Sequence, residues 1–235
     1  REALQMDPQQ SQVLEITEEA IQDAGYTKDT FPKDTGVYIG MGIIDFPGSL
    51  VENRYFYNGH TLAGFSHSCA ANRVSHYYGL TGPSVAVDTA CAASLTALHV
   101  ACMSLWNEEN KVALAGATSN LYSPETTVAF SHLGVLSPSG TSAPFDHTND
   151  GYVRSEGTSI VVLKPLEDAL RDNDHIYCVI RASTSAHNGN SNSLTLPSAE
   201  AQEELITRCY TQFGIPMEKV SFVEAHGTGT QLGDP

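Results

Sequence analysis

Cys91 lies where an apolar strand is predicted to change into a helix. Residues 85–87 are typical of a short buried strand, and Leu95, Leu98 and Cys102 recur at helical spacing. A side chain at such a turn projects from the fold, and the free N–H groups of the first helical turn point towards it. The positive end of the helix therefore favours the thiolate of Cys91. A buried cysteine that only packs at the start of a core helix is the alternative.

A second candidate group, His226, follows a predicted strand over residues 220–225 and precedes the sequence Gly-Thr-Gly-Thr. Ligands of α/β sheets bind beyond the carboxyl ends of the strands. Glycines let a ligand approach the backbone, and the hydroxyls of Thr228 and Thr230 can hydrogen-bond to it. The stretch is not a phosphate-binding P-loop, because no Gly-Lys-Ser/Thr follows.

A cysteine at the start of a helix, together with a histidine on a loop, indicates covalent acyl transfer. Spacing leaves open whether the acyl group passes to water, as in a hydrolase, or to carbon. The acidic stretch 144–157 fails the EF-hand pattern, so a rigid loop tied by an Asp/Arg/Glu network is predicted instead of a calcium site. No histidine has metal-ligand spacing, and no metal is predicted.

The remaining pattern predicts the elements that position these groups. A helix begins after Asp7, an N-cap followed by proline, and ends at Gly25. Further helices are predicted over 66–78, over 165–171 and between Ser198 and Gly214, with strands over 36–40, 111–117, 160–163 and 177–183. Short buried strands that alternate with helices predict an α/β fold with a largely parallel inner sheet.

Composition narrows the class of protein. The chain has 235 residues and a formal net charge of −15, which argues against a nucleic-acid or anionic-membrane surface. Its five cysteines are widely spaced without C-x-x-C, so they predict a reducing, cytoplasmic setting rather than disulfides or zinc. No membrane-spanning run or signal peptide is found. The first residue is Arg1 and the last residues are turn-like, so a fragment of a longer protein is expected.

Three segments taken together resemble one family. They are VDTACAASL at 87–95, PFDHTNDGYVRSEG at 144–157 and EAHGTGTQLGDP at 224–235. These segments are similar to the β-ketoacyl synthase (ketosynthase) domains of type I polyketide synthases and animal-type fatty acid synthases. The flanking sequences EALQMDPQQ at 2–10 and HLGVLSPSGT at 132–141 agree, so the resemblance covers essentially the whole chain.

The resemblance implies a thiolase-like αβαβα layered fold, present here as the first half plus the start of the second half. Residues 1–176 would form the N-terminal half of the ketosynthase domain, which carries the nucleophile. Residues 177–235 would start the C-terminal half, which carries the first catalytic histidine. The family is usually homodimeric, and an adjacent acyltransferase domain is expected in the same multidomain polypeptide.

The family reaction is a decarboxylative Claisen condensation. By this resemblance, Cys91 takes the acyl chain as a thioester from the phosphopantetheine of an acyl carrier protein, and its backbone N–H is one oxyanion donor. His226 would hydrogen-bond to the thioester carbonyl of the malonyl-type extender and stabilise the enolate. Thr228 and Thr230 correspond to threonines that contact the pantetheine arm. No cofactor is bound directly.

The sequence departs from the family pattern at two points. Ala92 and Ala93 stand where serines are common, which we expect to alter packing rather than chemistry. The family's second histidine, its upstream lysine and the second oxyanion donor would all lie beyond Pro235. The isolated chain is therefore expected to be inactive, and poorly soluble or molten because half of its core partners are absent. Asp88 and Glu224 are expected to be structural.

Other functions stay open at this stage. A coenzyme A-dependent thiolase shares the fold and the nucleophile, although EAHGTGT is not expected in it. A catalytically degenerate ketosynthase would act only as a carrier-protein docking or dimerisation module, which the presence of both Cys91 and His226 disfavours. A cysteine hydrolase would need His226 to deprotonate Cys91. RSEG at 154–157 resembles the fatty acid synthase form, whereas the remainder favours a polyketide synthase.

Overall fold

The computed structural model describes residues 2–46, 58–189 and 196–234. The chain divides into two compact units. The first unit comprises Arg1–Ser123 and Ser155–Val179, and the second comprises Pro124–Arg154 and Ile180–Pro235. The predicted division into residues 1–176 and 177–235 concerns the two halves of a layered fold rather than compact units, and it stays a prediction.

A mixed four-stranded sheet organises the first unit. Its strands are β1 (Gly36–Gly40), β2 (Ser84–Val87), β3 (Ala113–Ser119) and β4 (Gly157–Leu163), in the order β2-β1-β3-β4. β1 pairs in parallel with β2 and β3, and β4 joins β3 antiparallel at one edge. The predicted largely parallel α/β sheet is confirmed, and its antiparallel edge strand is an addition that the pattern did not reveal.

Helices of the described residues are α1 (Pro8–Asp23), α2 (Thr61–Phe65), α3 (Ser68–Tyr78), α4 (Ala93–Trp106), α5 (Pro124–His132), α6 (Leu166–Asp172) and α7 (Ala199–Gln212). The predicted cap of α1 is confirmed, because the Asp7 carboxylate accepts the Gln9 N–H at 2.8 Å. Ser198 caps α7 in the same way, with its hydroxyl accepting the Ala201 N–H at 3.2 Å. None of these helices is long and apolar enough to cross a membrane.

The sheet carries two apolar clusters. One contains Val13 and Ile21 of α1, Val74 of α3, and Val37 and Ile39 of β1. The other packs α4 against the sheet through small residues. Its buried members are Ala97, Ala101, Tyr38, Ala113 and Ala115. Because the buried face of α4 is mainly alanine, its backbone approaches β1 closely, whereas Leu95 is 70% exposed.

Two predicted strands are wrong. Neither 177–183 nor 220–225 belongs to a hydrogen-bonded sheet of the described residues, although both sequences have strand-like composition. A strand requires a partner for its N–H and C=O groups, and Phe222 and Val223 are instead 75% and 73% exposed. Helix α5 was missed, because its residues PETTVAFSH are poor in apolar periodicity.

Candidate active site

Cys91 lies at the predicted strand-to-helix transition of the first unit. β2 ends at Val87, a 3₁₀ turn occupies Ala90–Ala92, and α4 begins at Ala93. The Cys91 side chain is exposed, so the alternative of a buried packing cysteine is wrong. The thiol stands directly before the N-terminus of a 14-residue helix, where free backbone N–H groups stabilise negative charge.

Residues 88–92, called the Cys91 turn below, are held by local hydrogen bonds. The Asp88 carboxylate accepts the Ala90 N–H at 3.0 Å. The Ala92 N–H bonds to the Thr89 carbonyl at 3.1 Å. The Thr89 hydroxyl donates to the Thr96 hydroxyl at 2.9 Å, which connects the turn to the first turns of α4. These bonds fix the direction in which the chain leaves β2.

The end of β1 packs against the start of α4, directly after this turn. A Cβ at Gly40 would lie 2.6 Å from the carbonyl carbon and oxygen of Ala93, so only glycine allows this approach. The Met41 N–H bonds to the Val87 carbonyl at 3.0 Å. The next residue, Gly42, has its carbonyl 2.9 Å from Nε2 of His67. The start of α4 is thus held against β1 by backbone contact.

His226 lies in the second unit, in a loop of residues 226–234 called the His226 loop below. The His226 side chain is exposed. Gly227 and Gly229 have φ of +54° and +64°, which explains why both positions are glycine. The hydroxyls of Thr228 and Thr230 are 3.0 Å apart, and that of Thr230 also accepts the Gly233 N–H at 3.1 Å. The structure thus brings both predicted threonines together.

Asp234 connects the His226 loop to residues 134–154, called the Pro144 loop below. One carboxylate oxygen accepts the Gly229 N–H at 3.0 Å, and the other accepts the Phe145 N–H at 2.7 Å. The Gly151 N–H bonds to the Gly229 carbonyl at 2.9 Å. Sequence reasoning did not single out Asp234; its signal was an aspartate in a Gly-Asp-Pro turn, a residue type that accepts backbone N–H groups.

The Pro144 loop corrects the predicted network of acidic and basic side chains. Asp146 accepts the Thr148 N–H and hydroxyl at 2.8 and 2.7 Å, and these bonds hold the pKa of the Asp146 carboxyl below its ordinary value. Arg154 donates to the Thr127 hydroxyl at 2.7 Å and stacks on Phe130. Among the described residues, the acids of this loop bond mainly to hydroxyl and N–H groups, because short polar side chains satisfy nearby backbone first.

Solved structures agree on the class of protein. The chain superposes with a TM-score of 0.91 on a ketosynthase from module 6 of the bacillaene synthase of Bacillus subtilis 168, at 38% identity. It superposes with a TM-score of 0.94 on an oxazolomycin ketosynthase domain of Streptomyces albus JA3453, at 34% identity. The two superpositions cover 99% of this chain and 39% and 40% of the solved chains. The fold is therefore thiolase-like, as predicted.

The family follows from the sequence matches. Residues 1–169 match the model of the β-ketoacyl synthase N-terminal domain, and residues 177–235 match that of its C-terminal domain. The chain belongs to the β-ketoacyl synthase family, a class of condensing transferases.

Curated relatives include a phenolphthiocerol/phthiocerol polyketide synthase of Mycobacterium tuberculosis, at 43% identity, and the highly reducing polyketide synthase 19 of Pyricularia oryzae, at 41%. All of this chain is matched in both comparisons, but it spans only 13% and 9% of the lengths of these relatives.

Proposed function

We propose that this chain carries the nucleophile and the first catalytic histidine of a ketosynthase that performs decarboxylative Claisen condensation. The observation that carries the proposal is the exposed thiol of Cys91 immediately before the N-terminus of α4. Free backbone N–H groups at the start of a helix can stabilise the negative charge of an attacking sulfur, so we assign no general base to Cys91. His226 is therefore free for a separate step.

In the first step, the Cys91 thiolate attacks the thioester carbonyl of an acyl group carried on the phosphopantetheine of an acyl carrier protein. The tetrahedral oxyanion accepts a hydrogen bond from the Cys91 N–H, and the pantetheine thiolate leaves. The acyl group is then held as a thioester on Cys91, whose carbonyl carbon remains electrophilic because a thiolate is a good leaving group.

In the second step, His226 donates a hydrogen bond to the thioester carbonyl of a malonyl-type extender. Loss of carbon dioxide leaves the electron pair in an enolate, whose oxygen His226 stabilises. The enolate carbon attacks the acyl carbonyl, a carbon–carbon bond forms, and the Cys91 thiolate leaves. Thr228 and Thr230 would hydrogen-bond to the pantetheine arm, since their hydroxyls lie together in the same loop.

The relatives suggest the setting of this reaction. Those named above are polyketide synthases many times longer than this chain, so we assign the reaction to polyketide biosynthesis. An acyl carrier protein and an adjacent acyltransferase domain are the proposed partners. A homodimer is also proposed: β2 is an edge strand of the described sheet, and Val85 and Leu95 are exposed apolar residues on β2 and α4.

Acyl loading tests the nucleophile. The full-length protein is incubated with an acyl thioester, and the adduct is located by intact and peptide mass spectrometry. We expect one acyl group on Cys91, which Cys91→Ala abolishes. An adduct that survives this substitution would refute the assignment.

Decarboxylation of malonyl-carrier protein tests the histidine separately. His226→Ala is expected to lose decarboxylation while acyl loading on Cys91 persists, because the two steps use different groups. Thr228→Val and Thr230→Val are expected to raise KM for the carrier-bound substrate more than they lower kcat. Retained decarboxylation in His226→Ala would contradict the proposed role.

A further inference from the structure

Ala90 has a backbone conformation that its own side chain disfavours. Its φ is +50°, in the left-handed region where a Cβ crowds the backbone, and Cys91 follows directly. Glu108, Phe145 and Asn173 are the other non-glycine residues with positive φ in the described ranges. Glu108 and Asn173 follow the C-terminal ends of α4 and α6, where this conformation commonly ends a helix. Ala90 precedes a helix, so it requires another explanation.

An aspartate accounts for the conformation of Ala90. The Asp88 carboxylate accepts the Ala90 N–H at 3.0 Å, in a turn between residues i and i+2 that aspartate and asparagine favour. Phe145, the remaining case, also has its N–H accepted by an aspartate, at 2.7 Å. In both places, a hydrogen bond to an aspartate carboxylate accompanies a residue in the left-handed conformation. Neither residue has the conformational freedom of glycine.

Gly42, two residues beyond the end of β1, lies beside both partners of the Asp88–Ala90 bond. A Cβ at Gly42 would lie 3.5 Å from the Asp88 carboxylate oxygen and 3.7 Å from the Ala90 Cα. The Asp88 carboxylate and the Ala90 backbone therefore meet the same stretch of chain. Since Cys91 is the next residue, the peptide orientation at Ala90 sets the direction of the Cys91 side chain.

We infer that Asp88 is a positioning residue for Cys91. It acts by accepting the Ala90 N–H and thereby holding Ala90 in the left-handed conformation that aims the thiol. The inference rests on the proposed role of Cys91 as nucleophile and adds a residue that acts through the backbone. A purely electrostatic effect of the Asp88 charge on the thiol is the competing explanation, and it makes a different prediction for asparagine.

The test uses the full-length protein and four variants: Asp88→Ala, Asp88→Asn, Ala90→Gly and the double variant Asp88→Ala/Ala90→Gly. Two rates are measured at Cys91 by peptide mass spectrometry. One is alkylation by iodoacetamide, and the other is acylation by an acyl thioester of N-acetylcysteamine. Alkylation of Cys178, which is also exposed, is an internal control that should not change.

Asp88→Ala is expected to slow both Cys91 rates by about tenfold, since a side-chain bond that holds a disfavoured conformation is lost. Asp88→Asn keeps an acceptor oxygen and should stay within about twofold of the parent. Glycine adopts positive φ without a supporting bond, so the double variant should recover to within about threefold. If Asp88→Ala unfolds, Asp88→Ser is measured instead, because its hydroxyl is a weaker acceptor for the Ala90 N–H. We expect a smaller loss of both Cys91 rates in Asp88→Ser, and adding Ala90→Gly should restore them.

Three results would overturn the inference: equal rates in all variants, a loss in Asp88→Asn as large as in Asp88→Ala, or no recovery in the double variant. The second result would favour the electrostatic explanation. Failure of the proposed function is separate, because alkylation by iodoacetamide depends on how accessible and nucleophilic the Cys91 thiol is, and this can be measured even if no acyl group is transferred to Cys91.

Discussion

The Cys91 turn and the His226 loop both involve an aspartate that accepts the N–H of a residue with positive φ. The two partners of this bond are separated by very different distances along the chain. Each contains, or is bonded to, a non-glycine residue with positive φ whose N–H bonds to an aspartate. In the Cys91 turn, Asp88 and Ala90 are two residues apart. Around the His226 loop, Asp234 and Phe145 are 89 residues apart. The Cys91 turn joins a strand to a helix, whereas the His226 loop lies in irregular backbone.

This difference indicates which loop depends more on the rest of its unit. A bond between neighbouring residues costs little chain entropy, so the Cys91 turn is largely specified by its own sequence and by the elements on either side. The Asp234 bonds form only after two distant segments have met. The conformation of the His226 loop should therefore be the more easily lost when a single side chain is removed.

The largest expected effect concerns the close packing of β1 against the start of α4, directly after the Cys91 turn. Gly40→Ala places a Cβ 2.6 Å from backbone atoms of Ala93, which cannot move without displacing α4. We expect the free energy of unfolding to fall by about 3 kcal/mol in urea denaturation. Gly157→Ala in β4 is the matched control, because its Cβ would meet no atom within 4 Å. Equal stability of the two variants would show that the packing at Gly40 is looser than described.

The next effect tests the long-range support of the His226 loop. Asp234→Ala removes the acceptor of both the Gly229 and Phe145 N–H groups. We expect a loss of about 2 kcal/mol in local stability, seen as faster hydrogen exchange at these two amides. Asp234→Asn retains one acceptor oxygen and should lose about half as much. If Asp234→Ala left the hydrogen exchange of the Gly229 and Phe145 amides unchanged, the comparison between the Cys91 turn and the His226 loop would lose its basis.

A smaller effect concerns backbone strain at Phe145. Its φ is +59° and its side chain is 65% exposed, so truncation removes little packing. Phe145→Gly should be more stable than Phe145→Ala by about 1 kcal/mol, because only alanine retains a Cβ in the left-handed region. The two variants are compared by thermal and urea unfolding. At a position without positive φ, alanine stabilises the folded state more than glycine does. If Phe145→Ala were more stable than Phe145→Gly, the backbone at Phe145 would therefore be unstrained.

The smallest effect is the response of the Pro144 loop to acid. Bonds from Thr148 lower the pKa of Asp146, and bonds led by that from Ser137 lower the pKa of Asp150. A carboxyl group whose pKa is lowered on folding stabilises the folded state at pH values above its ordinary pKa of 3.8. This stabilisation is lost as the pH falls through the lowered pKa of the folded state. Residues 137–150 should therefore open more readily in acid.

Carboxyl chemical shifts measure this effect directly. Asp146 should titrate below 3.8, and Thr148→Ala should move its pKa towards that value because the hydroxyl bond is lost. A titration of Asp146 that Thr148→Ala leaves unchanged would contradict the assigned cause.

Local signals in the sequence predicted helix starts in both units. The proline after Asp7 predicted the start of α1 and the serine before α7 predicted the start of α7, and the structure confirms both. The strand before Cys91 and the helix after it are also confirmed. Each of these features depends on hydrogen bonds within a few residues, so its signal lies within a short stretch of sequence.

The failures concern features that depend on partners elsewhere in the chain. Residues 177–183 and 220–225 have the composition of strands but pair with no strand in the described part of the chain. Asp234 was missed because its bond to Phe145 joins segments that no local pattern connects. Leu95 fits the helical spacing, yet it is exposed, because alanines form the buried face of α4.

The sequence by itself determined the family, the α/β class and the position of Cys91 between a strand and a helix, because these features are encoded by motifs and short-range periodicity. Only the tertiary structure decided that Gly40 sets the approach of α4, that Asp234 joins the His226 loop to the Pro144 loop, and that Phe145 occupies a left-handed conformation. Such features arise when packed segments impose a geometry that neither segment prefers alone, and no local pattern records that compromise.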